Sequence, residues 1–315
     1  MGSVSQAYRY CEWITARHYE NFPVASWLLP AELRPHVAAV YAFARSADDF
    51  ADESRYQGRS LDLLEGWRKQ LRSCTNSHPS AHPIFLALAD TIHRRDLPVQ
   101  LLDDLLTAFI MDVTKRRYAD WEELMTYCRY SANPVGRLVL LLFGIRDEEL
   151  HLRSDDICTA LQLANHWQDL RIDLARDILY IPQDMMRSFD VTEAELGKYW
   201  PGTGPAACGC SRRPSSAFGL RAWRRVLPPA SPVPGQQFQL LMKELVSRAR
   251  ALFDSGEPLA RQLKGGLRLE IKLTLLGGRA ILDKIEAARY DVFRHRPVIS
   301  IADKLGLLTQ AVFSK

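Results

Sequence analysis

Two short stretches, more than a hundred residues apart, each place carboxylates on a helix face that should otherwise be apolar. The first reads YAFARSADDFADE from Tyr41 to Glu53 and is rich in alanine and aromatic residues. Because an α-helix turns through about 100° per residue, Asp48 and Asp52 share one face with Tyr41. Like charges avoid the core side of a helix unless a positive charge lies between them, and Arg45 lies on the same side. This face is therefore a candidate functional site.

The second stretch has the same spacing of carboxylates. It reads ALQLANHWQDLRID from Ala160 to Asp173, and it places Asn165, Asp169 and Asp173 on the side of Gln162. Magnesium prefers hard oxygen ligands and is usually held by one or two carboxylates together with substrate phosphates. Two such helix faces therefore indicate a site at which several magnesium ions bind a diphosphate.

The bulk properties of the chain exclude several other classes of protein. Its 315 residues are 47% hydrophobic and 25% charged, an ordinary globular composition, and a net charge of +4 is too small to favour nucleic-acid binding. The six cysteines are scattered without CxxC pairs, which indicates reduced thiols. No apolar run approaches the roughly 18–20 residues that span a bilayer, and the first residues lack a signal-peptide pattern. We expect a cytoplasmic protein, soluble or peripheral to the inner membrane.

Helical periodicity without strand-like alternation predicts an all-α fold, organised as a single domain over residues 1–315. Asn133-Pro134 should kink a helix, and glycine pairs at 265–266 and 277–278 should interrupt others. The segment from Val298 is expected to pack back on the body of the protein.

Residues 199–235 differ from the rest because they are rich in proline and contain no Asp or Glu. This composition predicts a flexible insertion. Its centre, AFGLRAWRRVL, is either part of a plain loop or a short basic helix that touches a membrane surface. A segment translated out of frame would have the same composition.

A basic cluster at Lys115, Arg116 and Arg117 precedes Tyr118. It is either a solvated turn or a clamp for a diphosphate group. The residues alone leave both interpretations open.

Four stretches resemble the squalene and phytoene synthase family and follow the family's order. They are HYENF near His18, YAFARSADDFADE, YCRYSANPVG, and QLANHWQDLRID followed by LYIP. RAILDKIE near the C-terminus agrees with them. Within the family, SANPVG and NHWQD most resemble the bacterial hydroxysqualene synthases of hopanoid biosynthesis. The resemblance implies an all-α isoprenoid-synthase helical bundle with a central active-site cavity.

The resemblance also implies an activity. The expected reaction converts presqualene diphosphate and water to hydroxysqualene and diphosphate, with about three Mg²⁺ ions and no nicotinamide cofactor. Implied partners are presqualene or farnesyl diphosphate and other enzymes of the squalene and hopanoid pathway. A peripheral membrane contact is a separate expectation, from the basic segment of the insertion. Two alternatives stay open. One is head-to-head condensation of two prenyl diphosphates to presqualene diphosphate, squalene or phytoene; the other is a non-catalytic assembly factor.

Matching the family motifs position by position implies roles for individual residues. The implied metal ligands are Asp48, Asp52, Asn165 and Asp169. The implied catalytic residues are Asp48, Asp52, Asp169, Asp173 and Tyr130. The implied substrate-binding residues are His18, Tyr41, Arg45, Gln162, Asn165 and Arg279.

The chain departs from the family pattern at three places. Gln168 stands where the family usually has arginine, so a diphosphate contact is either lost or supplied by Arg171 or the 115–117 cluster. Asn133-Pro134 replaces a common form of the YC motif, and Phe253 replaces a tyrosine. These departures bear on the reaction more than on the fold.

Overall fold

The computed structural model describes residues 3–17, 29–74, 81–199 and 233–313. Within these ranges the chain is α-helical without a β-strand, apart from an isolated parallel bridge between Arg117 and Leu179. The all-α prediction is confirmed. His18 and most of the 199–235 insertion, including its AFGLRAWRRVL centre, lie outside the described residues.

The helix bounds follow the apolar periodicity of the sequence closely. In chain order they are α1 Val4–Arg17, α2 Arg34–Asp52, α3 Ser60–Ser73, α4 Pro83–Arg95, α5 Val99–Thr114, α6 Trp121–Ser131, α7 Asn133–Leu142, α8 Glu148–Leu174, α9 Gln183–Ser188, α10 Glu193–Tyr199, α11 Gln236–Gly256, α12 Pro258–Gln262, α13 Gly265–Ala287 and α14 Ile301–Phe313. A 3₁₀ turn, Ser54–Tyr56, follows α2.

The described residues form two compact units that interleave along the sequence. The first comprises 3–17, 29–74, 81–114 and 129–155; the second comprises 115–128, 156–199 and 233–313. A single domain over 1–315 stays a prediction.

Helix α2 is the centre of the first unit and packs against α1, α3, α4 and α5. Its alanines, among them Ala42 and Ala47, are fully buried and let neighbouring helices approach closely. Phe43 stacks on Trp67, and Trp67 meets Phe85 edge-on at a ring-centroid distance of 4.5 Å. The Trp67 indole N–H also donates to the Phe43 carbonyl at 3.3 Å. These contacts fix the rotation of α2, and with it the direction of its acidic residues.

The predicted kink at Asn133-Pro134 is a complete break between two helices. Helix α6 ends at Ser131, and α7 begins at Asn133 with Pro134 in its first turn. Proline is tolerated there because the first N–H groups of a helix have no intrahelical acceptor.

The two glycine pairs of the second unit behave differently. The pair at 265–266 marks the start of α13, where Gly265 has φ +60°, as predicted. The predicted interruption at 277–278 is wrong, because α13 continues to Ala287. A Cβ on Gly278 would lie 2.2 Å from Cζ of the buried Phe253, so this glycine allows α11 and α13 to pack closely.

Helix α14 packs on α13, which agrees with the expectation for the C-terminal segment. None of the described helices combines the length and apolar character needed to cross a bilayer. The four described cysteines, Cys11, Cys74, Cys128 and Cys158, form no disulfide with one another.

Candidate active site

The first acidic motif lies on the core side of α2. Asp48 is 1% exposed, and its Oδ2 lies 3.3 Å from Nη1 of Arg45. Burial lowers the pKa of Arg45, but the neighbouring Asp48 and Asp49 carboxylates raise it by more. Asp52 is partly buried one turn further along. A positive charge is therefore present beside Asp48.

Asp49 differs from the simplest expectation. Its position off the shared face predicts a solvated carboxylate, yet its side chain is only 19% exposed. Its Oδ1 accepts a hydrogen bond from Nη2 of Arg45 at 2.5 Å. Arg45 thus bridges two successive carboxylates, which holds its guanidinium in one position.

An apolar pocket lies in the first unit along the same side of α2. Val37, Tyr41, Ala44 and Asp48 follow one another at helical spacing, and the first three line the pocket. The complete lining is Val37, Val40, Tyr41, Ala44, Leu105, Val135, Leu138, Val139 and Leu142. Burial raises the pKa of Tyr41 to about 12, so this phenol stays neutral. One helix side therefore combines carboxylates with a surface for a hydrocarbon chain.

The second acidic motif lies on α8 in the second unit. Gln162 is 3% exposed, and its amide Nε2 has no hydrogen-bond partner within the described residues. Asn165, Asp169 and Asp173 follow at helical spacing and are partly exposed. A buried amide without a partner is costly, so Gln162 is suited to bind a polar ligand.

Arg296 is a site residue that the sequence analysis missed. It lies between α13 and α14, and its Nε and Nη2 both donate to the Asp169 carboxylate, the latter at 3.1 Å. Such a two-point contact fixes both side chains. Its signal in the sequence is the basic run RHRP at residues 294–297, which helical periodicity alone does not single out.

Gln168 and Arg171 both donate hydrogen bonds to backbone carbonyls of the protein. The Gln168 amide donates to the Pro297 carbonyl, and Nη1 of Arg171 donates to the Phe293 carbonyl at 2.5 Å. Burial lowers the pKa of Arg171. These bonds fasten the segment before α14 to α8. On the sequence alone, Arg171 is one candidate for the cation beside the second acidic motif. In the structure the cation that pairs with Asp169 of that motif is Arg296.

His166, which is adjacent to Asn165, is a core residue. Its ring stacks on Tyr180 with centroids 3.6 Å apart, and Tyr127 lies against both rings. Burial lowers its pKa to about 3, so the imidazole is neutral. The stack fixes the rotation of α8 about its axis.

The basic cluster at 115–117 is engaged within the second unit. Lys115 pairs with Glu123, and Arg117 pairs with Asp177 at 2.7 Å and with Glu193 at 2.9 Å. These ion pairs favour a structural role over a diphosphate clamp.

Two further predicted residues also contact protein groups. Nη2 of Arg129 donates to the Tyr130 hydroxyl at 2.9 Å in the first unit. Arg279 pairs with Asp254 at 2.5 Å and with Glu257 at 2.8 Å, which ties α13 to the end of α11. That placement favours a structural role for Arg279. The catalytic role of Tyr130 and the substrate-binding role of Arg279 stay predictions.

The donor atoms of both motifs suit magnesium. No group of three or more His, Cys, Asp or Glu side chains in the described residues is close enough to hold a metal alone. Each motif nevertheless presents two carboxylates at i, i+4, and Mg²⁺ typically takes one or two carboxylates plus phosphate oxygens and water. Asp48 and Asp52 are the donors of the first motif; Asn165 and Asp169 are those of the second. Magnesium binding stays a prediction.

Comparison with known proteins relates the whole chain to a known family. The family model described as squalene/phytoene synthase matches residues 15–212 and 217–303. The solved structure of squalene synthase HpnC from Alicyclobacillus acidocaldarius is 35% identical, has a TM-score of 0.75, and covers 91% of this chain and 95% of that one. The isoprenoid-synthase fold prediction is confirmed.

Two curated relatives give the range of similar sequences. A hydroxysqualene synthase of Zymomonas mobilis is 42% identical over 184 residues, which are 57% of this chain and 60% of that protein. A phytoene synthase of Arthrospira platensis is 28% identical over 98% of this chain and 93% of that protein. The chain thus matches less than two thirds of the length of the hydroxysqualene synthase.

Proposed function

The chain belongs to the squalene/phytoene synthase family, and we propose that it is a magnesium-dependent terpenoid synthase that converts presqualene diphosphate and water to hydroxysqualene and diphosphate. One observation carries the proposal. The buried Asp48–Arg45 ion pair and an apolar pocket follow one another along the same side of α2. The 42% identity with a hydroxysqualene synthase supports the choice of reaction.

The charged residues would bind and orient the diphosphate. Magnesium, when bound, neutralises the diphosphate and makes it a better leaving group. The residues that would hold it are Asp48, Asp52, Asn165 and Asp169. Arg45 keeps the first motif compact, and Arg296 places a fixed positive charge at the second. A cation positioned before the reaction stabilises the charge that develops on a departing group.

The apolar pocket would receive the isoprenoid chain. Its lining contributes no charged side chain, so it would surround a reactive cation with mainly apolar groups. The face of the Tyr41 ring would stabilise positive charge on carbon by about 0.5–2 kcal/mol. Because this phenol stays neutral, it adds no competing negative charge.

The test is turnover of presqualene diphosphate with Mg²⁺ in oxygen-18 water. The proposal expects an alcohol that carries the heavy isotope, together with free diphosphate. Asp48→Asn should abolish diphosphate release, whereas Asp62→Asn on the exposed start of α3 should not. An unlabelled product, or equal activity of the two variants, would show that the assignment is wrong.

Head-to-head condensation is a second candidate, favoured by the similarity to a phytoene synthase along 98% of the chain. Incubation with farnesyl diphosphate as sole substrate separates the two. Accumulation of presqualene diphosphate would favour condensation. Absence of turnover with both substrates would favour the non-catalytic assembly role.

A further inference from the structure

Helix α14 exposes a row of apolar side chains to solvent. Ile301, Leu305, Leu308 and Val312 recur at i, i+4, i+7 and i+11, so they lie within about 60° of one another around the axis. They are 77%, 62%, 36% and 56% exposed, and Phe313 at the helix end is 82% exposed. These five residues are called the α14 stripe below.

Other sides of α14 are fastened to the second unit. Ser300 and Asp303 form a reciprocal cap, in which the Asp303 N–H donates to Ser300 Oγ at 3.1 Å and the Ser300 N–H donates to Asp303 Oδ2 at 2.7 Å. Asp303 also pairs with Lys284 of α13 at 3.0 Å, and Ala311 is buried. The helix is therefore held in place with its stripe turned outward.

The exposed charge beside the stripe is positive. Asp303 is the only carboxylate of α14 and is already ion-paired, whereas Lys304 is exposed near the edge of the stripe. Arg294 and His295 are exposed just before the helix, and Asp291 in that segment pairs with Arg294 at 3.3 Å. An apolar row with an exposed lysine at its edge is complementary to a surface of anionic phospholipid.

The size of the stripe fits a lipid surface better than a second copy of the chain. Its exposed fractions correspond to an area on the order of 500 Å². A stable protein interface buries about 800 Å² on each partner. Lipid tails need no complementary shape, so a single helix face can insert at the level of the headgroups.

We infer that the α14 stripe is a membrane-docking surface that inserts into the interface of a bilayer containing anionic phospholipid. The inference rests on the surface of α14 and does not involve the basic segment at the centre of the 199–235 insertion. The purpose of membrane docking rests on the proposed function, because a triterpene alcohol is insoluble in water and must enter a bilayer.

The test is flotation of the full-length protein with vesicles of equal parts phosphatidylglycerol and phosphatidylcholine, and with phosphatidylcholine alone. The protein should float with the anionic vesicles and less with the neutral ones. The double variant I301Q/L305Q should lower the partition coefficient about tenfold or more, because two large apolar side chains no longer leave water. The matched control L61Q/L152Q alters two isolated exposed leucines on α3 and α8 and should bind as the wild type does.

A second measurement reports insertion directly. Compared with the wild type, which has seven tryptophans of its own, the F313W variant should gain emission that is blue-shifted with anionic vesicles and is quenched by a quencher carried on the lipid chains. Wild-type protein that floats with neither vesicle, or I301Q/L305Q that floats as well as wild type, would overturn the inference. So would a dimer by light scattering that the double variant dissociates without any vesicle binding. None of these readouts requires turnover, so they stay interpretable if the proposed reaction is wrong.

Discussion

Gly278 is the position at which the structure makes its sharpest energetic prediction. Its absent Cβ would lie 2.2 Å from Cζ of Phe253 and 2.9 Å from Cε1. Ordinary contact begins at 3.4 Å, so the ring would have to move by about 1.2 Å. Phe253 is fully buried. Gly278→Ala therefore overpacks the contact between α11 and α13.

The net magnitude combines two opposing effects. Overpacking of this depth costs about 3 kcal/mol. Replacing glycine by alanine inside a helix returns about 1 kcal/mol. The expected loss in free energy of unfolding is about 2 kcal/mol, which for a chain of 315 residues lowers the melting temperature by about 3 °C.

The neighbouring glycine provides a matched control. A Cβ on Gly277 meets nothing within 4 Å, so Gly277→Ala should stabilise the protein by about 0.5–1 kcal/mol. The double variant F253L/G278A should be more stable than the sum of its single changes predicts, because leucine lacks the clashing ring atoms. Thermal and urea unfolding measure all of these. A Gly278→Ala variant as stable as wild type, or equal destabilisation by both alanines, would refute the packing argument.

Three further predictions concern partly buried polar groups. Burial raises the pKa of Glu270, and its Oε2 has no hydrogen-bond partner in the described residues, so stability should fall as pH rises through the carboxyl's titration range; Glu270→Gln should add about 1 kcal/mol at pH 7 in urea unfolding. Arg296→Gln should lower the rate of diphosphate release about 10²-fold without unfolding the protein, because it removes the cation at Asp169. Tyr8→Phe should cost about 1–3 kcal/mol, because the Tyr8 hydroxyl bonds Asp90 at 2.8 Å and Thr91 at 2.9 Å.

Each of these has an outcome that would count against it. An unchanged or lowered stability of Glu270→Gln would mean that the carboxyl has a favourable partner; a stabilised but inactive variant would indicate a role in the reaction. Arg294→Gln is the control for Arg296→Gln, because it alters the same segment and should leave turnover intact. Tyr8→Phe with wild-type stability would mean that water replaces the lost hydrogen bonds.

The sequence predicts the helices and the acidic faces because both depend on local spacing. Asp48 is buried beside Arg45, as expected from residues three positions apart on one turn of helix. Asp49 deviates because one guanidinium can bridge two successive carboxylates, a detail that depends on rotamers.

Longer-range contacts explain what could not be predicted. Arg296 and Asp169 are 127 residues apart, so no local pattern joins them. The glycine pair at 277–278 predicts an interruption because glycine weakens a helix. The preference is only about 1 kcal/mol, and tertiary packing overrides it here. Phe253, noted only as a departure from the family, lies against one of those glycines, and its bulk accounts for the absent side chain.

The arrangement of α2 bears on substrate length. Val37 and Asp48 are eleven positions apart on one side of the helix, which at 1.5 Å per residue sets a span of about 16 Å. If Asp48 binds the diphosphate and the pocket near Val37 binds the hydrocarbon chain, the rigid helix sets the distance between the two. Enlarging Val37 or Ala44 would then shorten the longest acceptable tail while the anchoring groups stay where they are. Chain-length preference in such a protein would be set by one or two small side chains.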